Sequence, residues 1–152
     1  MIAASHMRGR RSIHLAVEAD FPSVRLLAAA CHAVLAEWGV GEERRALLEL
    51  AVVEAATNVV RHAYGGRGGR VEVELAREER SINLSILDAG VAFDPTRVPP
   101  PREPDPRDPA TWPEGGMGLP IIRAACDELS YRSEDGRNRL TLRLTLDEPG
   151  AP

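Results

Sequence analysis

Three short runs of this chain combine residue types and spacings suited to chemistry. The first is Glu54-Ala55-Ala56-Thr57-Asn58-Val59-Val60-Arg61-His62. On a helix, residues four apart share a face, so Glu54 and Asn58 stack about 6 Å apart and Arg61 follows on nearly the same stripe. The surrounding residues are apolar, and burying three strongly polar side chains without partners costs several kcal/mol. The stripe must therefore face a cavity, a ligand or solvent, and a solvated edge on which Glu54 captures Arg61 stays open on these residues alone. The second run, Ile86-Leu87-Asp88-Ala89-Gly90-Val91-Ala92-Phe93-Asp94-Pro95, sets an acid at the end of an apolar alternation. A carboxylate there can accept a hydrogen bond from the exocyclic amine of a base, and Gly90 lets backbone pass close to a ring. An Asp that only caps a turn has the same signature. The third run is Gly115-Gly116-Met117-Gly118-Leu119. Glycines opening a helix expose backbone N–H groups that can wrap an anion, although they also serve as plain hinges.

These runs need elements to hold them. Ile13, Leu15 and Val17 alternate with polar neighbours and predict a half-buried strand ending near residue 18. Val24, Leu27, Ala28, Cys31, Val34 and Leu35 recur at helical spacing between Pro22 and Trp38, with Gly39 as terminator. A second helix is predicted from Glu42 to about Ala63, its acidic first turn suiting the helix dipole, its Leu47 to Val60 stretch buried, and Gly65-Gly66 ending it. Val71, Val73 and Leu75, then Ile82, Leu84 and Ile86, read as two antiparallel strands joined around Arg77 to Arg80. From Ala89 to Gly116 periodicity is lost and eight prolines intervene, so neither helix nor central strand is expected in this long loop. A short helix from about Leu119 to Asp127, a strand near Leu129 to Ser133, an Asp135-Gly136 turn and a last strand carrying Leu140, Leu142, Leu144 and Leu146 complete the chain. The resulting order, β-α-α-β-β-loop-α-β-β, predicts an α+β fold: a two-layer sandwich with a mixed, mainly antiparallel sheet covered on one face by three helices.

With 152 residues, 43% of them hydrophobic and 28% charged, the chain fits one globular domain and excludes disulfide-stapled, fibrous and wholly disordered classes. The domain is expected over residues 8–148, with the loop at about 89–116 as a lid and residues 1–7 as an expression remnant or tail. Net charge is −4, and the basic residues are all arginine and scattered, which argues against nucleic acid as a direct partner. No apolar run reaches the roughly 20 residues of a membrane span, so a cytoplasmic protein without membrane contact is expected. Cys31 and Cys126 lack metal-ligand spacing and read as buried free thiols.

Taken in this order, the three runs resemble the GHKL ATPase superfamily of gyrase, heat-shock chaperone, histidine kinase and mismatch-repair ATPases, with its Bergerat fold. Glu54, Asn58, Arg61 and His62 match the N box, Asp88-Ala89-Gly90 the first glycine box, and Gly116-Met117-Gly118-Leu119 the second. Ala92 stands where the wider superfamily has a further glycine. Within the superfamily the chain is most similar to the anti-sigma-factor serine kinases of partner-switching systems, from about Arg11 to Leu146.

The resemblance implies ATP and Mg²⁺ as cofactors, with Asn58 holding the metal and Arg61, with His62 beside it, close to phosphate. It implies that Asp88 accepts the adenine amino group next to Gly90, that Thr141 adds a water-mediated contact, and that Gly115 to Gly118 with Leu119 wrap the phosphates. Glu54 would be the general base for a partner's serine hydroxyl. The implied function is a serine-protein kinase that phosphorylates an anti-anti-sigma antagonist of the STAS type and sequesters a sigma factor, thereby regulating transcription, as a homodimer. A kinase-inactive nucleotide-binding adaptor and the ATPase domain of a histidine kinase are the rivals. The latter needs an upstream phosphoacceptor helix pair, and none of His6, His14, His32 or His62 lies in such a context.

Overall fold

A computed structural model describes residues 10–99, 102–103, 105–111 and 118–147. The elements are β1 (Arg11–Glu18), α1 (Phe21–Glu37), α2 (Glu42–Asn58), β2 (Arg70–Arg77), β3 (Ser81–Asp88), α3 (Gly118–Ala124), β4 (Glu128–Glu134) and β5 (Arg137–Thr145). The strands form one sheet in the order β1-β2-β3-β5-β4, and every pairing is antiparallel, which narrows the expected mixed sheet. The helices cover a single face. The fold is thus the α+β two-layer sandwich anticipated from the element order.

Alternation decides which strand residues meet the helices. Val71, Val73 and Leu75 of β2, Ile82, Leu84 and Ile86 of β3, and Leu140, Leu142 and Leu144 of β5 face Val24, Leu27, Leu35, Leu48 and Val52 of the helices. Each fully buried aliphatic side chain contributes roughly 1.5–3 kcal/mol relative to exposure. The buried stripe of α2, Leu48, Ala51, Val52, Ala55 and Ala56, is mostly small, which lets this helix lie close to the sheet. Leu50 is 44% exposed, so α2 is not buried all round as its composition predicts.

The ends of the helices are fixed by local chemistry. Asp20 caps α1 by accepting from the Ser23 N–H at 2.7 Å, with Pro22 in the first turn, where a missing N–H costs nothing. At the start of α2, Arg44 donates to Asp127 Oδ2 at 2.7 Å and to the Thr145 carbonyl at 3.0 Å, tying the helix to the sheet. The predicted single helix from Glu42 to Ala63 is instead α-helical only to Asn58. It then widens into a π-helical turn, Val59–Ala63, closed by the Tyr64 N–H on the Val59 carbonyl at 3.0 Å.

The proline-rich loop also holds more order than its composition predicts. Pro95–Arg97 and Pro109–Thr111 are single 3₁₀ turns, each begun by a proline. Arg123 of α3 fastens the first of them, donating to the Val98 carbonyl at 2.9 Å and the Thr96 carbonyl at 3.3 Å. Helix α3 spans Gly118–Ala124, shorter at its C-terminal end than expected. Cys31 is buried, whereas Cys126 is only half-buried, a departure from the expectation for both thiols. Among the described residues no helix is long and apolar enough to cross a membrane. The N-terminal segment 1–7 lies outside the described residues.

Candidate nucleotide site

A small cleft opens between α2, the end of β3 and the root of the loop. Its lining includes Asn58, Asp88, Ile86, Phe93, Tyr131 and Leu140. Pockets for small ligands and cofactors are mostly apolar with a few polar groups, and the lining of this cleft has that character. Asn58 and Asp88 are polar members of that lining, one carried by the helix layer and one by the sheet.

Asp88 reaches the cleft because it continues the inward parity of Ile82, Leu84 and Ile86 past the last apolar position of β3. It is 9% exposed. Its Oδ1 accepts from the Gly90 N–H at 2.9 Å and from Asn138 Nδ2 at 2.8 Å. The turn after it is fastened to the end of the helix. The Val91 N–H donates to the Ala63 carbonyl at 2.8 Å, and the Ala89 N–H donates to Tyr64 Oη at 3.0 Å, whose own proton goes to the Arg70 carbonyl at 2.8 Å. A Cβ on Gly90 would lie 2.5 Å from the Ala63 carbonyl carbon and 2.7 Å from Ala63 Cβ, so only glycine permits this approach. On the opposite wall the Phe93 N–H donates to Tyr131 Oη at 3.0 Å. Burial pushes the Tyr131 phenol up, so it stays neutral.

Glu54 sits one helical turn before Asn58, with its carboxylate against the first residue of α3. A Cβ on Gly118 would fall 2.6 Å from Glu54 Oε2. Glycine at 118 therefore gives the carboxylate its room. Leu119 follows in α3 and packs on the edge of the core. Gly115, Gly116 and Met117, the rest of the predicted phosphate-wrapping run, lie outside the described residues.

Three predicted residues are placed differently. Arg61 is expected on the stripe of Asn58, but it lies within the π turn, whose wider winding carries it off that stripe. Its guanidinium lies over the ring of Phe21 at 5.5 Å, and Arg61 is not among the residues lining the cleft. His62 packs its ring against Phe93, with centroids 5.7 Å apart, and is not among the residues lining the cleft. Thr141 is on the other face of the sheet, paired with Ser85 in register and hydrogen-bonded to its Oγ at 2.9 Å. Strand alternation gives the cleft Leu140 and places Thr141, expected to add a water-mediated contact, on the opposite face of the sheet. The residue sequence reasoning missed is Asn138, 3% exposed and directly opposite Asp88. Counting back by two from Leu140 would have found it.

The chemistry of the donor set suits a nucleotide. An acceptor carboxylate in a mostly apolar cleft suits the amino edge of a base, and the oxygen of a side-chain amide such as that of Asn58 suits a hard cation. No three His, Cys, Asp or Glu side chains cluster as a metal site among the described residues.

Comparison with known proteins agrees with this geometry. Residues 17–144 match the family model described as histidine kinase-like ATPase domain. The chain is 38% identical over 99 residues to the serine/threonine-protein kinase BtrW of Bordetella bronchiseptica, covering 64% of this chain and 68% of that protein. It is 27% identical over 90 residues to an anti-sigma F factor of Clostridium acetobutylicum, covering 59% and 62%. It is 28% identical over 98 residues to the serine-protein kinase RsbW of Bacillus thuringiensis, covering 59% of this chain and 57% of that one. The match thus spans under two thirds of the length of the last two relatives. The crystal structure of the RsbU and RsbW domains of Rv1364c from Mycobacterium tuberculosis superposes with a TM-score of 0.63 at 21% identity, covering 91% of this chain and 33% of that one. With the fold, the cleft and a family match across most of its length in agreement, this chain belongs to the histidine kinase-like ATPase domain family, among relatives named as anti-sigma factors and serine-protein kinases.

Proposed function

We propose that this protein is an ATP-dependent serine-protein kinase and anti-sigma factor. It phosphorylates a STAS-type anti-anti-sigma antagonist, sequesters a sigma factor in the cytoplasm, and acts as a homodimer. The observation that carries the reading is the convergence of Asn58 and Asp88 on one cleft, with the Glu54 carboxylate one helical turn away at the start of α3. The names of the relatives support the choice of partners.

In this reading Asp88 Oδ2 accepts the amino group of adenine, and Ile86, Phe93 and Leu140 pack the base. Asn58 Oδ1 holds Mg²⁺, which when bound neutralises phosphate charge. Backbone N–H groups of the Gly115 to Gly118 run cradle the phosphates. Glu54 takes the proton from the antagonist's serine hydroxyl as that oxygen bonds to the γ-phosphorus, while the bond from phosphorus to the bridging oxygen breaks and ADP leaves. Phosphoryl transfer needs mainly positioning and charge stabilisation, and these residues supply both.

The test is incubation with γ-labelled ATP, Mg²⁺ and the antagonist. Label should appear on an antagonist serine with the wild type and be lost with Glu54→Gln, which should still bind ATP because its amide keeps the shape but not the basic oxygen. Transfer by Glu54→Gln at the wild-type rate would remove Glu54 from the base role. ATP binding without any transfer would leave an adaptor.

A further inference from the structure

Directly behind Asp88 lies a buried polar side chain that the reading above does not use, Asn138. Asn138 opens the inward parity of β5 and stands opposite Asp88 in the β3–β5 register. It is 3% exposed and is not among the residues lining the cleft, so it is placed to act on a ligand through its neighbours. Its hydrogen-bonding capacity is almost fully used. Nδ2 donates to Asp88 Oδ1 at 2.8 Å and to the Gly90 carbonyl at 3.0 Å, and Oδ1 accepts from Ser133 Oγ at 2.7 Å. Ser133 is itself the β4 partner of Asn138 in register.

This geometry settles how Asp88 can present itself. Oδ1 already receives two donors, the Asn138 amide and the Gly90 N–H. Rotating the carboxylate would break both bonds in a buried setting, where a polar group left without its partner is strongly disfavoured. Oδ2 is the oxygen left to the cleft, and it is acceptor-only while the carboxylate is ionised. Because Asn138 also holds the Gly90 carbonyl, it fixes the turn and the carboxylate together.

We infer that Asn138 is a positioning residue that makes the site selective for the exocyclic amine of the base. By pinning Oδ1 of Asp88 and the Gly90 carbonyl, it aims a single acceptor oxygen at the ligand. A 6-amino purine gives that oxygen a donor, whereas a 6-oxo or unsubstituted purine leaves it unpaired. A site built to pair with a particular polar group rejects analogues that lack it, because its own buried group is then orphaned. The inference rests on the nucleotide reading of the cleft and adds to it the origin of base selectivity.

The test is calorimetric titration of wild type, Asn138→Ala and Asn138→Ser with Mg²⁺ and either ATP or purine riboside triphosphate, which differs from ATP only by lacking the 6-amino group. The wild type should prefer ATP by about tenfold or more, the value of one good hydrogen bond to a charged group. Asn138→Ala should bind the deamino analogue within about twofold of wild type while its preference for ATP falls towards unity. Asn138→Ser, which keeps a short donor and guards against a variant that fails to fold, should retain an intermediate preference. Equal weakening of both nucleotides would mean that Asn138 only holds the β4–β5 hairpin, and an unchanged preference would mean that Asp88 aims itself. Either result overturns the inference while leaving the nucleotide site standing. A wild type that binds neither nucleotide would overturn both.

Discussion

Gly90→Ala is the substitution whose effect the structure specifies most closely. Gly90 has no positive φ, so on backbone grounds alone alanine would stabilise the fold, by about 0.4–1 kcal/mol through the unfolded chain. The surroundings reverse that sign. The new methyl would meet the Ala63 carbonyl carbon at 2.5 Å and Ala63 Cβ at 2.7 Å, and these are atoms of a packed helix end that cannot swing aside. Overpacking of this kind costs roughly 1–3 kcal/mol. Pushing the turn outward also stretches the Val91 to Ala63 bond, a further 0.5–1.5 kcal/mol or so. The net loss is about 0.5–4 kcal/mol, which for a domain of this size lowers Tm by roughly 1–15 °C. Because Asp88 Oδ1 is anchored by the Gly90 N–H, nucleotide affinity should fall with stability. Thermal unfolding followed by circular dichroism reads the first effect and calorimetry the second. A Gly90→Ala protein as stable as wild type, or more so, would refute the argument that the helix end and the turn are in contact.

Asn58→Ala should weaken Mg·ATP binding at least tenfold while barely changing the weaker binding measured in EDTA, because the lost ligand acts through the cation; equal losses in both conditions would contradict that role. Asp127 is held below the usual aspartate value of 3.8, chiefly by the Thr145 N–H and then by Arg44. A lowered folded pKa stabilises the protein above the unfolded value, and that stability is lost as pH falls through the folded one. Asp127→Asn should therefore melt below wild type at pH 7, and the two melting curves should converge as the pH drops below about 3.8; a constant gap would contradict the charge argument. Burial pushes the Cys31 thiol up to about 12 and the Cys126 thiol up to about 11, so at pH 8 the native protein should react with iodoacetamide far more slowly than the unfolded chain, as mass spectrometry would show.

Much of this was legible in the sequence, and the reasons are specific. The alternation of Val71, Val73 and Leu75 and of Ile82, Leu84 and Ile86 is a direct consequence of a sheet wet on one side, so strands β2 and β3 could be placed closely. Hairpin adjacency follows from short turns, but the pairing of β3 with β5 and of β1 with β2 is non-local and has no signature in spacing. Asn58 and Asp88 were legible because each is a polar residue interrupting an apolar pattern. The π turn after Asn58 was not, since i→i+5 bonding has no residue code, and with it went the placement of Arg61. Thr141 was chosen for its residue type, while the parity of Leu140 already assigned the inward position to Asn138. The 3₁₀ turns at Pro95 and Pro109 were hidden by treating proline as a breaker, although at the first position of a turn it has no N–H to lose.

The claim on which the rest depends is that the cleft between Asn58 and Asp88 holds an adenine nucleotide by its base. Calorimetric titration of wild type and Asp88→Asn with Mg·ATP tests it most directly. The account predicts saturable one-site binding by the wild type and a loss of at least tenfold in the variant, whose amide cannot present the same acceptor. No heat of binding in the wild type, or equal affinity in the two proteins, would contradict it.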